Sequence, residues 1–234
     1  MDDRQRQIRE GAGLVESQLN TAFIDWLRKW STPILVVAAV LLLGYMGWQK
    51  MQEAKVAKVN RAFAELAAAS QGPNPSPDSL RRVADEFDGI RAVSHMARLA
   101  AADIYLESLR RGTKVGRTPG LGVIPPEDLL SPDERDGYLR ECESLYQSVL
   151  SRTQSDKAMA LHALGASFGL AAVAECRGDL ETARRRYDLA KGIAEAAGIS
   201  VHARIAQSRI DSLATLPEPV LPQAGEVDPP AGTP

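Results

Sequence analysis

The chain has 234 residues, 44% of them hydrophobic and 25% charged, with 28 basic side chains against 30 acidic ones. That is the balance of a folded protein, with no basic excess for a nucleic acid and no acidic excess for a disordered, solvating chain. Aromatic residues make up only 5% while alanine is abundant, which suits closely packed helices because alanine has the best helix propensity.

In chain order, Val15, Leu19, Ala22, Phe23, Trp26 and Trp30 recur at helical spacing, with Glu16, Gln18, Asp25 and Arg28 on the other faces. The pattern predicts an amphipathic helix within the N-terminal segment 1–32, lying in the headgroup region of a bilayer. Pro33 to Trp48 then reads PILVVAAVLLLGYMGW and carries no charge. At about 1.5 Å per residue it spans roughly 24 Å, against about 30 Å of hydrocarbon, so its flanks complete a crossing. Trp26, Trp30 and Trp48 stand where interfacial anchors belong, and Lys50 follows just outside. A single transmembrane helix is therefore predicted over 33–50. Pro33 is expected in its first turn, with Ser31 or Thr32 as the cap. The run begins far from the N-terminus and no small-x-small site follows it, so it reads as a retained anchor and not as a cleaved signal. The flanking charges lean to a cytoplasmic C-terminal side: Arg28 and Lys29 precede the span, and Lys50, Lys55, Lys58 and Arg61 follow it. Arg4, Arg6 and Arg9 level that count.

Residues 51–216 show helical periodicity and no convincing strand. Met51, Val56, Val59, Phe63 and Leu66 continue a helix out of the membrane to about Ala69, where Gly72-Pro73-Asn74-Pro75 breaks it. Ser76 caps the next helix and Pro77 opens it; Leu80, Val83, Ala84 and Phe87 face inward, and Asp88-Gly89 ends it. A helix over 91–111 buries Met96, Leu99, Ala100, Ile104, Tyr105 and Leu109, and stops at Gly112. The Gly- and Pro-rich stretch 112–131 is an insertion loop carrying Leu121, Val123, Ile124, Leu129 and Leu130. It either packs back on the domain or binds a partner. Ser131-Pro132-Asp133-Glu134 is a capping box that starts a helix running to about Leu150. Further helices are expected at about 156–177, 179–197 and 200–214, separated by Gly178 and Gly198. The Pro-rich, acidic tail 217–234 is expected to stay disordered.

A recurrence runs through the later helices. Gly178, Ala183, Tyr187 and Ala190 have the spacing of the tetratricopeptide signature, and Leu170-Ala171 falls where that signature wants a large residue followed by a small one. Gly137, Cys142, Tyr146 and Val149 repeat the pattern 41 residues earlier. The usual period is about 34, and two extra helical turns account for the difference. Departures are Ser167 at the usual Trp position, Ala174 at the usual first-helix Tyr and Glu195 at the closing Pro. The fold expected is all-α: one transmembrane helix followed by a tetratricopeptide-like α-solenoid.

The order of these parts, with "LRRVADEFDGIRAVSHMARLAAADIYL" and the final "VHARIAQSRIDSL" helix, resembles the YfgM-like family of bacterial membrane-anchored proteins. That family includes an ancillary subunit of the Sec translocon. The resemblance implies a protein of the bacterial inner membrane, with a cytoplasmic N-terminus and a C-terminal domain outside the cytoplasm. The insertion at 112–131 is not part of the family pattern.

No HExxH, GxSxG, P-loop or GxGxxG motif is present, so neither an enzyme, a cofactor nor a small-molecule substrate is expected. His95, His162 and His202 stand on separate helices without ligand partners, and no metal site is expected. Arg184-Arg185-Arg186 reads as a solvated helix face. Cys142 and Cys176 are either two buried small hydrophobes or, in an oxidising compartment, a disulfide. The expected partners are the lipid bilayer and one or more proteins, either the translocon or its translocated clients. The function expected is a membrane-tethered scaffold; the alternatives are a holdase using the 121–130 loop and a self-assembling membrane protein.

Overall fold

The computed structural model describes the backbone of residues 3–71, 75–117 and 124–215, and within these the side chains of Thr21 and of residues 23 onward. The described residues form seven α-helices: α1 Asp3–Gln71, α2 Pro77–Glu86, α3 Val93–Arg111, α4 Pro132–Thr153, α5 Ala160–Cys176, α6 Leu180–Ala196 and α7 Ser200–Ser212. Among them there is no strand, only an isolated bridge between Thr113 and Leu129. The protein is all-α. The chain divides into two compact units, residues 1–58 and 59–234.

The first unit is one uninterrupted helix, the N-terminal part of α1. The expected start at Pro33 is not a start, because Pro33 lies inside the helix. A proline deletes one backbone hydrogen bond and costs about 3 kcal/mol in a helix interior. The helix nonetheless runs on through it. Ser31 does not cap either; its hydroxyl donates back to the Arg28 carbonyl at 3.4 Å. The amphipathic stretch and the apolar stretch are thus parts of the same helix. The side chains of Val15, Leu19 and Ala22 lie outside the described residues.

The second unit begins with the last turns of α1, which contribute buried Ala62 and Leu66 to its core. From α2 to α7 each helix packs on the next in sequence, and α3 also packs on α5. The main core joins Leu80, Val93, Ala97 and Leu109 from α2 and α3 to Leu139, Cys142, Tyr146 and Val149 from α4 and Leu170 from α5. Smaller clusters unite α5 with α6 and α7 through Ala171, Ala183 and Tyr187, and through Leu164, Ala190 and Ala206.

Local chemistry explains the boundaries. Gly112 ends α3 at φ 68°, a left-handed backbone that a side chain would strain, and its N–H donates to the Leu109 carbonyl. Gly178 (φ 73°) and Gly198 (φ 74°) make the same kind of turn before α6 and α7. The capping box of α4 is complete: Glu134 N–H donates to Ser131 Oγ at 3.3 Å and Ser131 N–H donates to Glu134 Oε2 at 2.9 Å. The ends of the 112–131 stretch pack back on the domain. Lys114 N–H donates to the Asp128 carbonyl and Leu130 N–H to the Gly112 carbonyl, each at 2.9 Å. Thr113, Leu129 and Leu130 are buried. Residues 118–123, with Leu121 and Val123, lie outside the described residues, as does the expected disordered tail 217–234.

Candidate functional site

Two surfaces carry the residues that sequence reasoning singles out. The first is the wall of α1. Trp26, Trp30 and Trp48 are all exposed, as are Leu35 at 67% and Leu43 at 69%. Trp26 stacks on Phe23, their ring centroids 6.3 Å apart, and Trp48 lies against Tyr45 at the same separation. Trp30, Pro33, Ile34, Val37, Ala38 and Leu41 line a shallow apolar groove along the helix. Lys50 follows two residues after Trp48 on the same helix, and it too is exposed. None of the most apolar window of this helix is buried. Contiguous exposed apolar surface of this kind marks an interaction surface, with a membrane or with another protein.

The second surface is the stack α3–α6. Of the signature residues in the later pair, Gly178 lies in the turn, Leu170 and Ala171 are buried on α5, and Ala183, Tyr187 and Ala190 are buried on α6. The Tyr187 phenol donates to Glu175 Oε1 at 2.8 Å and its ring meets Phe168 at 5.8 Å. In the earlier pair Cys142, Tyr146 and Val149 are buried on α4, but Gly137 is not at a turn. It lies inside α4, which starts at Pro132 because the capping box and not the glycine sets that end. Tyr146 repeats the behaviour of Tyr187, donating to Asp103 Oδ1 on the preceding helix at 2.5 Å. Burial raises the pKa of both phenols, and the carboxylate each one meets adds to the shift, so both remain protonated donors.

Several contacts have no signal in the sequence. Gly169 lies under the Tyr146 ring, and a Cβ there would collide with it. Ser167, at the usual Trp position, is buried and donates to the Arg186 carbonyl at 2.8 Å, tying α5 to α6. Cys142 and Cys176 are both free thiols. Burial pushes the Cys142 thiol up to about 12 and raises that of Cys176 as well, so neither is an activated nucleophile.

The histidines depart most from expectation. His95 on α3 and His162 on α5 stand 67 residues apart in sequence, a separation that matches no ligand motif. The α3–α5 contact nonetheless brings their ring centroids to 6.3 Å, tilted by 55°. Each Nδ1 is buried and has no hydrogen-bond partner. Burial lowers the pKa of His95, with His162, Arg98 and Arg152 in the same sense and Asp88 opposing. The two arginines are paired: Arg98 with Asp85 at 3.1 Å and with Asp88 at 3.7 Å, and Arg152 with Asp88 at 2.8 Å.

No known protein family, curated protein or solved structure matches the chain.

Proposed function

We propose that the protein is a membrane-tethered scaffold. Its N-terminal helix crosses a bilayer around residues 33–50, and its helical domain binds a partner protein beside that membrane. The observation that carries this reading is the charge-free wall of α1, whose Val, Leu and Ile side chains are exposed among the described residues. A hydrocarbon phase is the solvent that such a wall requires. Support for a tetratricopeptide-like solenoid comes from chain-order packing, the additional α3–α5 contact, and the burial of Ala183, Tyr187 and Ala190 across from Leu170 and Ala171. A stack of this kind offers an extended surface to a peptide or a protein, and tethering raises its concentration near a membrane complex. The resemblance to YfgM-like proteins makes the bacterial inner membrane, with the translocon or its clients, the first place to look.

The test is carbonate extraction of cell membranes combined with a compartment-specific reporter fused after Leu216. The expected result is retention in the membrane pellet and reporter activity outside the cytoplasm. Release by carbonate overturns the anchor, and activity inside the cytoplasm overturns the translocon assignment. In-cell cross-linking from the helical domain then identifies the partner, and a domain that captures no protein overturns the scaffold.

A further inference from the structure

We propose that His95 and His162 together ligate one borderline divalent transition metal, zinc being the first candidate, and that the ion ties α3 to α5. The proposal goes beyond scaffolding and does not depend on it.

The case starts from two orphaned groups. Buried polar atoms normally have partners, and an exception calls for an explanation. Here both Nδ1 atoms lack one, and the two rings, tilted by 55°, come within 6.3 Å across the contact between two helices. Imidazole is the commonest protein ligand for zinc, nickel and copper. With a metal–nitrogen bond of about 2.0–2.1 Å and a ring radius of about 1.1 Å, two imidazoles on one tetrahedral ion have centroids roughly 5.2 Å apart, and roughly 6.4 Å apart when opposed. The observed 6.3 Å lies at the open end of that range. A closure of about 1 Å by two half-buried side chains reaches the tetrahedral value, a movement that small rotamer changes supply.

The electrostatic surroundings permit a dication. Arg98 and Arg152 contribute two positive charges, and Asp85 and Asp88, which they pair with, contribute two negative ones. At His95 itself Asp88 opposes the two arginines, so their positive charge there is partly offset. No third histidine, cysteine or carboxylate joins the pair among the described residues. Water completes the coordination sphere, which makes the site open and exchangeable, unlike the closed four-ligand structural type. His202 on α7 provides an internal contrast: its Nδ1 is orphaned as well, but among the described residues no second imidazole stacks with it.

The experiment is a zinc chloride titration of the purified full-length protein in detergent, read by calorimetry and by thermal melting, with circular dichroism of each metal-free variant as the folding control. The expected result is saturable binding of one zinc per chain with a rise in melting temperature, since a ligand that binds only the folded state stabilises it. His95→Ala and His162→Ala should each weaken binding at least about tenfold, because losing even an outer-shell partner costs 10–100-fold. His202→Ala and Cys176→Ser should leave binding unchanged. The proposal is overturned if the wild type shows no saturable binding, if binding survives both histidine substitutions, or if Cys176→Ser or His202→Ala is the variant that abolishes it.

Discussion

Among the described residues, α1 and the stretch 157–176, which is α5 with the short turn before it, are apolar and long enough to cross a membrane by composition. None of the relevant window of α1 is buried, whereas 56% of that of α5 is. Composition alone therefore requires that each helix be covered but leaves open what covers it. What separates them is burial and the place of the small side chains. The buried residues of α5 include Ala163, Ala166, Gly169, Ala171 and Ala174 beside Leu164, Leu170 and Val173, and at Gly169 Tyr146 lies directly on its backbone. The wall of α1 bears Ile34, Leu35, Val36, Val37, Val40, Leu41, Leu42 and Leu43, which project outward into whatever solvent surrounds them. Small residues between the large ones let other helices pack closely on α5, whereas the large side chains of α1 are left exposed.

That contrast can be broken most severely by moving charge. Leu170→Arg places an unpaired charge in the core and is expected to cost more than about 4 kcal/mol, unfolding the domain by circular dichroism. The double substitution Val37→Arg and Leu41→Arg is expected to leave the melting of the domain unchanged. It should release the chain from carbonate-washed membranes, since each arginine costs about 2.5–3.5 kcal/mol at the centre of a membrane helix. If the double variant unfolds the domain instead, α1 and α5 are alike and the distinction is wrong.

A glycine comparison sharpens the same point. Gly169→Ala drives a Cβ into the Tyr146 ring and is expected to lower stability by about 1–3 kcal/mol, read as a fall in melting temperature. Gly44→Ala in α1 meets nothing within 4 Å and should leave the domain's melting temperature where it is. Smaller effects are expected at the tyrosines that lean on the first helix of each pair. Tyr146→Phe and Tyr187→Phe each remove one hydrogen bond to a carboxylate, for a loss of about 0.5–1.5 kcal/mol in urea unfolding. The smallest effect is acid-dependent and belongs to α4, on which α5 packs. The Ser131 backbone N–H, together with Lys114, holds the Glu134 carboxyl at about 2, below its ordinary 4.5. Its contribution is therefore present above about pH 4.5 and is lost as pH falls towards 2. Glu134→Ala should flatten this part of the acid arm of stability against pH, and an unchanged arm would mean that the cap contributes nothing.

Helix boundaries were largely legible in the sequence because their signals are local. The Ser131 capping box, Gly112, Gly178 and Gly198 each act through a few adjacent backbone atoms. Pro33 misleads because a proline disfavours a helix interior without forbidding it, and here the helix runs on through it. Gly137 matches a spacing without matching its cause, since a stronger start signal lies five residues earlier at Pro132. The close approach of Gly169 to Tyr146, the Ser167–Arg186 bond and the His95–His162 pair are products of helix docking. No spacing rule encodes them, because each joins residues whose proximity depends on how intervening helices are stacked.

The neck of the 112–131 excursion has one further consequence. Backbone bonds between Gly112 and Leu130 and between Lys114 and Asp128 close it at the domain surface, whatever path the chain takes between. Once two points on a chain are pinned together, lengthening the segment between them raises the closing entropy only logarithmically, by about 0.6 kcal/mol for each doubling. The domain can therefore gain or lose residues beyond this clasp with little thermodynamic penalty. The excursion is a place where added sequence is tolerated while the helices beneath it stay as they are.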